Sequence, residues 1–413
     1  MAIRKGEKTN LDNLIREFRS VIREEAKNIN ASLAFQNATQ SFFANLRATL
    51  ERFPETSELA EDVKAIKEES LKDIEYLIDR AASNMEKNGM EVFLAKNGSE
   101  ARKYILKKLA DMEERTIVKS KSMTLREIGL RRFLEEKGFE VWETDLGDFL
   151  VQLVNEEPMH LTTPAAHLTR EQIAIIIKEK LGTHRDVSSD VNSIVKSVRD
   201  FLREKIERAE VGFSGANAIA ANTGSLLIIE NEGNARLVTT LPRLHIAVVG
   251  VEKIVPTLED AYKVAEVTWR YAGYEMPAYL DVISSASKTG DIEKKIVRGM
   301  HGPEEVLVVL LDNGRVRASK GFLRDALKCL RCGACMYACP IFSELRGRWG
   351  NSYMGGIGVL WSAIIGEDFA HHALACLLCS RCAEVCPVGI DSGKIIRELR
   401  KMFIEEFLKG SRS

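Results

Sequence analysis

The sequence has no cysteine before position 329, few prolines and no long apolar run. Its 413 residues include 9 prolines and 8 cysteines, and its net charge is −1. A chain without a basic surplus offers no electrostatic case for nucleic-acid binding. Its most apolar run, from Gly355 to Gly366, is too short to span a bilayer. That run predicts a buried or interface helix, and peripheral docking on a membrane complex stays open.

Several functional motifs are also missing. The first residues carry no apolar signal segment, so we expect a cytoplasmic protein. Neither a G-x-G-x-x-G nor a G-x4-G-K-[ST] pattern occurs, so no recognisable flavin, nicotinamide or ATP motif is present. With 45% apolar and 29% charged residues, a chain of this length predicts a globular protein of two or three domains.

Two cysteine runs carry the strongest chemical signal. The run that starts at Cys329 and the run that starts at Cys376 both read C-x2-C-x2-C-x3-C-P. This pattern is typical of bacterial proteins with two 4Fe-4S clusters, in which the fourth cysteine of each run binds the other cluster. We therefore assign Cys329, Cys332, Cys335 and Cys386 to cluster 1, and Cys376, Cys379, Cys382 and Cys339 to cluster 2.

Zinc and disulfides are the alternatives for these cysteines. Structural zinc takes four tetrahedral ligands, commonly as two Cys pairs. A zinc site would not explain the third cysteine at x2 spacing or the proline after each run. Disulfides leave the doubled spacing unexplained and are rare in the cytosol. A pair of adjacent clusters predicts single-electron transfer between a donor and an acceptor that both lie elsewhere.

Apolar periodicity predicts the fold class as α/β. Residues 1–88 show helical spacing on both sides of Pro54, with Thr56 or Ser57 as the next N-cap, and predict a helical packing arm. Residues 89–314 alternate helices with apolar strands, which predicts a largely parallel sheet covered on both faces. Residues 315–413 form the two-cluster ferredoxin-like domain, closed by an amphipathic helix from Ile395 to Leu408. The predicted strands are 91–95, 116–118, 139–143, 210–213, 225–229, 245–249 and 305–311.

Polar turns follow several of these strands, where parallel sheets bind ligands. Lys119, Lys121 and Ser122 precede a helix whose Thr124-x-x-Glu127 pattern predicts a capping box, which favours an anion. A solvated lysine pair on a capped helix is the equally weighted alternative.

The stretch from Gly212 to Pro242 adds further candidates. Its two glycine turns predict a short alanine-rich helix with backbone N–H groups directed into one crevice. Candidate ligands there are Asn217, Thr223, Gly224, Ser225, Glu232, Asn234 and Arg236. Arg236, Asn217 and Ser225, together with Lys121, would bind a carboxylate or a phosphate. Alternatively, Arg236 is paired with Glu230 or Glu232 in a closed loop.

The histidines give a weaker signal. His160 and His167 flank a Pro164 turn, and as a pair they are candidates for binding, although each alone is more often structural. His184 and His245 are interpreted as structural.

Taken together, these motifs resemble those of one family, the lactate utilisation protein B family of LUD-domain iron-sulfur proteins. Beyond the cysteine runs, the segments that carry the resemblance are 118–124, 143–147, 160–167, 215–217, 223–225, 232–242, 250–257 and 311–315. One departure is that Arg346-Gly-Arg-Trp stands where the family has a His-rich stretch, which would alter the partner surface.

The resemblance implies an iron-sulfur subunit of a multi-protein, NAD-independent system that oxidises L-lactate to pyruvate. The implied partners are a cysteine-rich CCG-domain protein and a second, cluster-free LUD protein, and the LUD fold is similar to that of the ribose-5-phosphate isomerase and CoA transferase group. Oxidation of lactate needs a hydride acceptor, so we expect a flavin on a partner subunit. The chain would then be an oxidoreductase subunit, active only within its complex.

Two alternatives stay open at this point. The chain could carry electrons for a separate flavin dehydrogenase acting on D-lactate, glycolate or glycerol phosphate. A different class is acyl or CoA transfer by the LUD domain, because Glu230-Asn-Glu232-Gly faintly resembles the nucleophile context of CoA transferases. Two clusters would have no purpose in acyl transfer.

Overall fold

A six-stranded parallel sheet forms the centre of the LUD region. The computed structural model describes residues 8–110, 112–182 and 187–410, so His184 lies outside the described residues. The strands of this sheet are β1 (Glu91–Ala95), β2 (Thr116–Lys119), β3 (Glu140–Glu143), β4 (Val211–Ser214), β7 (Leu244–Gly250) and β12 (Glu305–Leu311). Their order is β1-β12-β7-β4-β2-β3, with every neighbouring pair parallel. The predicted α/β class is confirmed.

Both faces of this sheet are buried, as its continuous apolar strands predict. On β2, Ile117 belongs to a core with α5 (Gly98–Lys108) and α7 (Leu130–Glu135), whereas Val118 belongs to a core on the opposite face. That second core contains α8 (Leu146–Val154), α9 (Arg170–Leu181) and α10 (Val191–Arg208). Because successive side chains of a strand point to opposite faces, helices on each side bury alternate residues.

A second, smaller sheet shares a hydrophobic core with the main sheet and the N-terminal helices. Its strands are β5 (Ala218–Ala220), β6 (Ser225–Glu230), β8 (Ile254–Val255) and β9 (Tyr279–Ile283), in the order β8-β5-β6-β9. The alanine-rich helix predicted after Gly212 is wrong, because Ala218–Ala220 is a buried strand paired with β6 and β8. A short antiparallel pair, β10 (Lys288–Thr289) and β11 (Val297–Arg298), completes the strands.

Four helices form the predicted N-terminal arm: α1 (Lys8–Glu25), α2 (Ile29–Arg52), α3 (Thr56–Lys72) and α4 (Ile74–Lys87). The residue that caps α3 is Glu55, without a side-chain cap bond, and not Thr56 or Ser57. The arm packs on the rest of this chain. Asn84 of α4 donates to the Ala221 carbonyl over 2.8 Å, and the Phe42 ring of α2 stacks on Tyr337 at 4.3 Å.

The C-terminal region is helical. Its helices are α13 (Arg315–Ser319), α14 (Ala334–Tyr337), α15 (Pro340–Leu345), α16 (Gly355–Ile365), α17 (Ala370–Ala375), α18 (Arg381–Glu384) and α19 (Ser392–Gly410). The apolar run predicted as a buried helix is α16, in which Trp361 and Leu360 have no exposed surface. Within the described residues, no helix is long and apolar enough to cross a membrane. The remaining helices are α6 (Met123–Glu127), α11 (Asn234–Thr240) and α12 (Leu258–Tyr271).

Candidate functional site

The two cysteine runs fold into the same loop. In the first, Arg331 and Gly333 have φ angles of 67° and 84°, and in the second, Leu378 and Ser380 have φ angles of 56° and 58°. A left-handed backbone is costly for any residue with a side chain, and three of these four have one. Alternation of right- and left-handed residues directs successive backbone N–H groups into a concavity that binds anions, including iron-sulfur clusters. The repeated strained loop therefore fits such a cluster.

The cysteines line two small neighbouring cavities. Cys329, Cys332, Cys335 and Cys386 line the first, and Cys339, Cys376, Cys379 and Cys382 line the second. The four cysteines assigned to each cluster border a common cavity, and Cys382 and Cys335 add a fifth cysteine to the first and the second cavity, respectively. The cavities share Cys335, Cys382, Ile357 and Ser392 in their walls, so they lie side by side. Which cysteines bind iron stays a prediction.

The donor set fits two 4Fe-4S clusters. All eight cysteines are free thiols. Burial, with a contribution from neighbouring thiolates and against the effect of backbone N–H groups, raises the pKa of Cys339 to about 12 and that of Cys386 to about 11. Iron would remove this cost, because a metal-bound thiol is deprotonated outright. Within the described residues, no group of three or more His, Cys, Asp or Glu side chains is arranged around a single metal ion.

A buried ion network borders the first cavity. Arg331, between Cys329 and Cys332, lies 3.5 Å from Glu252 and sits over the Trp361 ring at 3.9 Å. Burial opposes the charge of Glu252, but Arg315, Arg331 and two lysines outweigh it and lower its pKa to about 2.

Arg315 is the centre of that network. Its side chain has no exposed surface and pairs with Glu252 at 2.5 Å and Glu127 at 2.6 Å, and Glu127 also accepts from the Tyr353 hydroxyl over 2.6 Å. Sequence reasoning missed these residues as a group, because four distant segments contribute them. The only signal was that segments 250–257 and 311–315 belong to the family resemblance.

A cleft of about 710 Å³ lies beside the first cavity. It runs between the carboxyl ends of β2 and β3, helix α1 and residues 347–354. Of the residues predicted for a ligand site, Lys119, Lys121, Ser122 and His160 line it. Met123, Leu161 and Met354 line both the cleft and the cysteine cavity. The cleft and the cavity are therefore separated by a shared apolar wall.

One end of the cleft combines lysines with carboxylates. The Lys119 ammonium pairs with Glu143, and that of Lys121 lies 3.4 Å from Asp145. Burial raises the pKa of Asp148 to about 7, with Lys121 opposing the shift and Glu143 adding to it. Because carboxylates outnumber lysines here, this end favours a cation or a proton donor over the anion predicted from the lysines.

The predicted capping box is wrong. Ser122 caps α6 by accepting from the Leu125 N–H over 3.3 Å, and Thr124 is a buried residue inside the helix. Glu127, the second half of the predicted box, is engaged by Arg315. The carboxylate was predicted to turn back to its own helix, but a buried guanidinium provides a stronger partner.

His160 and His167 do not act as a pair. His160 is fully buried, and its Nδ1 accepts from the Thr162 N–H over 3.0 Å, so its Nε2 carries the proton. That Nε2 has no hydrogen-bond partner in the described part of the chain. Burial lowers the pKa of His160 to about 3. His167 bonds to Glu156 at 2.8 Å instead. His245, fully buried, lies 2.7 Å from the Ser214 hydroxyl, as expected of a structural histidine.

The candidates after Gly212 divide into two groups. Glu232 accepts from the Leu146 N–H over 3.1 Å, and Asn234 donates to Thr144 over 3.1 Å, so both lie beside the lysine end of the cleft. Within the described residues, Asn217, Thr223, Gly224, Ser225 and Arg236 do not line the cleft. The prediction that Lys121, Asn217, Ser225 and Arg236 line a single crevice is therefore wrong.

That second group is occupied by structural contacts. Asn217 accepts from the Ile229 N–H over 3.0 Å, and Ser225 bonds to Thr223 and Ser284 at 2.8 and 2.7 Å. A side chain at Gly224, where φ is 68°, would lie 2.6 Å from the Met85 nitrogen of α4. Arg236 pairs with Asp281 at 2.8 Å, and Glu230 is its more distant partner at 4.0 Å. The alternative prediction that Arg236 forms an internal ion pair is confirmed, but its main partner is Asp281 and not Glu230 or Glu232.

Comparison with known proteins identifies both halves of the chain. The LUD domain profile matches residues 78–311, and the 4Fe-4S dicluster domain profile matches residues 325–390. A crystal structure of a DUF162 family protein from Deinococcus radiodurans is 14% identical, with a TM-score of 0.32, over 58% of this chain and 98% of that one.

Curated relatives extend the match over most of the sequence. Lactate utilization protein B of Bacillus thuringiensis (strain Al Hakam) is 38% identical over 319 residues, which are 77% of this chain and 64% of the relative. The protein of the same name from Bacillus cereus (strain B4264) is 36% identical over 335 residues, 81% of this chain and 68% of the relative. The chain thus spans about two thirds of the length of these relatives. It belongs to the lactate utilization protein B family, with a LUD domain followed by a 4Fe-4S dicluster domain.

Proposed function

We propose that this chain is the electron-transfer subunit of a multi-protein, NAD-independent system that oxidises L-lactate or a related 2-hydroxy acid. The observation that carries the proposal is that the cleft, the first cysteine cavity and the second cysteine cavity adjoin one another in that order. The cleft shares a wall with the first cysteine cavity, and the first cavity shares Cys335 and Cys382 with the second. Two clusters in these cavities would relay single electrons.

The second cavity reaches the surface. Cys379 is exposed, and the neighbouring Leu377 has 62% of its surface exposed. In the first cavity, by contrast, all the cysteines are partly buried, and the ion pair of Arg331 and Glu252 is buried next to them. We therefore place the donor side at the first cavity and the acceptor side at the second. An exposed apolar side chain next to a cofactor is suited to docking of a transient protein partner.

The chemistry on lactate belongs to other subunits. Removal of two electrons and two protons from a 2-hydroxy acid needs a two-electron cofactor, which we propose is a flavin brought by the partner subunits and held where they meet this chain. The partners we propose are a CCG-domain cysteine-rich protein and a second LUD protein. In this arrangement, the cysteine loops of this chain hold the clusters and the LUD region holds the loops in place.

Paired cysteine variants test the proposal. After anaerobic reconstitution with iron and sulfide, the native chain should bind about eight iron atoms, and Cys379→Ser and Cys332→Ser should each lose about half. The two variants should lose different signals in electron paramagnetic resonance. Iron retained in full by either variant, or zinc bound in place of iron and sulfide, would contradict the cluster assignment.

A second experiment tests the division of labour. Lactate should leave the clusters of the isolated chain oxidised and should reduce them when the CCG-domain and second LUD proteins are added. Reduction by lactate of the isolated, flavin-free chain would refute the proposal that substrate chemistry lies on partners.

A further inference from the structure

The cleft is far larger than a 2-hydroxy acid requires. Its volume of about 710 Å³ falls in the range of pockets that bind cofactor-sized molecules. A molecule as small as lactate would leave most of it filled with water. The size of the cleft therefore points to a larger ligand, and its position beside the first cavity points to one that exchanges electrons. This inference rests on the proposed function.

The wall that the cleft shares with the first cavity is apolar. Met123, Leu161 and Met354 contribute to both spaces, and no charged residue is common to the two. Met123 and Leu161 are partly exposed, whereas Met354 is buried behind them. A flat aromatic group could pack on Met123 and Leu161, since thioether sulfur makes favourable contacts with aromatic rings. In that position only the shared side chains would separate it from the cluster.

Several arginines line the cleft further along. Arg126 and Arg132 both donate to the same carboxylate, Glu157, over 2.7 and 3.1 Å. Arg348 lines the same cleft, and the preceding residue, Gly347, packs on the backbone of Pro158, the neighbour of Glu157. Arg348 is exposed, and it makes no hydrogen bond or ion pair within the described residues. Two arginines thus share one glutamate, and a third arginine lines the same cleft.

Such an arginine group suits a phosphate. Guanidinium groups bind phosphate oxygens through paired, charge-assisted hydrogen bonds. On α6, Arg126 follows Met123 by three residues, so the two side chains lie on the same face of the helix. The apolar wall and the arginine group are therefore two ends of one continuous surface.

We propose that this cleft binds flavin mononucleotide, with its ring on the wall formed by Met123, Leu161 and Met354 and its phosphate at Arg126, Arg132 and Arg348. Flavin accepts electrons in pairs and releases them singly, which is the conversion needed between a 2-hydroxy acid and a cluster. The sequence analysis assigned the flavin to a partner because the chain has no flavin motif. The cleft gives this chain a direct part in holding it.

Equilibrium titration of the reconstituted chain with flavin mononucleotide and with riboflavin tests the inference. The two probes differ only in the phosphate. We expect saturable binding of flavin mononucleotide, weakened about tenfold or more by Arg348→Ala or Arg132→Ala. Riboflavin binding should be the same in these variants as in the native chain. Both arginines are exposed, so neither change should disturb folding.

The matched control is Arg243→Ala. Arg243 is also exposed, but it precedes the central strand β7, at the amino-terminal end of the strands and away from the cleft, and pairs with Glu304. This variant should bind flavin mononucleotide as the native chain does. No saturable binding by the native chain, or equal weakening by Arg243→Ala, would overturn the inference. Iron and sulfide content, measured on the same samples, shows separately whether the proposed clusters are present.

Discussion

The guanidinium of Arg315 donates to the carboxylate of Glu127 over 2.6 Å, and neither side chain has any exposed surface. Arg315 stands just after the last strand of the main sheet, and Glu127 ends α6 beside the cleft. Because Glu127 also accepts from Tyr353, the pair joins the LUD region to the segment between the two cysteine runs. The position of the cleft against the first cavity depends on this junction.

Glu127→Gln should destabilise the chain. Removing one partner of a buried ion pair leaves an incompletely compensated charge and typically costs about 3–5 kcal/mol, although Glu252 retains one contact to Arg315. We expect a loss of about 3 kcal/mol in the free energy of unfolding, measured in urea. Glu75→Gln is the control, because its pair with Lys320 is exposed and should contribute less than about 1 kcal/mol. Equal losses in the two variants would contradict the importance of the buried pair.

Asp148 should make stability depend on pH. Its pKa is raised by burial from 3.8 to about 7, and Lys121, Lys119, Glu143 and Asp145 are the charged groups that face it. Between those two values the folded state binds more protons than the unfolded state, so stability is greatest below pH 4 and falls as pH rises towards 7.

Asp148→Asn should remove that contribution. The difference in unfolding free energy between native chain and variant should change by roughly 2–4 kcal/mol between pH 4 and 8. The native chain should become less stable relative to the variant as pH rises. Asp79→Asn, at an exposed position of α4, serves as the control and should track the native chain. A difference that does not vary with pH would show that Asp148 is ionised in the folded state.

Gly333 and Ser380 occupy equivalent left-handed positions in the two cysteine loops, with φ angles of 84° and 58°. A Cβ at Gly333 would lie 3.1 Å from His160 Cε1 and 3.3 Å from Thr162 Cγ2. Gly333→Ala therefore adds both backbone strain and a tight contact, and we expect partial loss of the iron bound in the first cavity.

The reciprocal change should be tolerated. Ser380→Gly relieves left-handed strain and loses one hydrogen bond to Asp391, 2.9 Å long, so iron content should stay at the native level. Iron and sulfide are measured per chain after reconstitution of both variants. Full iron in Gly333→Ala would show that the first loop adapts freely.

Local patterns predicted much of this fold. Each of the seven strands predicted from apolar runs is present within a residue or two, because a strand buried on both faces must be apolar throughout. The assignment of the cysteines to two clusters, made from their spacing, stays a prediction. In contrast, Ala218–Ala220 was predicted as helix, because alanine has high helix propensity and pairing with β6 and β8 overrides it.

The cleft was beyond the reach of sequence patterns. Lys121 and Arg236 both follow strands and were predicted to line one crevice. Arg236 instead forms an ion pair with Asp281 of β9, outside the cleft that Lys121 lines. The arginine group depends on Arg126, Arg132 and Arg348, which come from two distant segments with no shared motif. These arginines come together only because the C-terminal region packs on the sheet. The apolar periodicity of the sequence carries no information about that packing.

The buried guanidinium of Arg315 also bears on how the chain could be divided. The boundary drawn from sequence falls immediately before this residue, whereas its two anionic partners, Glu127 and Glu252, belong to the LUD side. A fragment truncated at that boundary would keep both carboxylates in an apolar interior and lose the cation that neutralises them. We therefore expect the two regions to unfold together, and a fragment that ends at residue 314 to be less stable than the full chain.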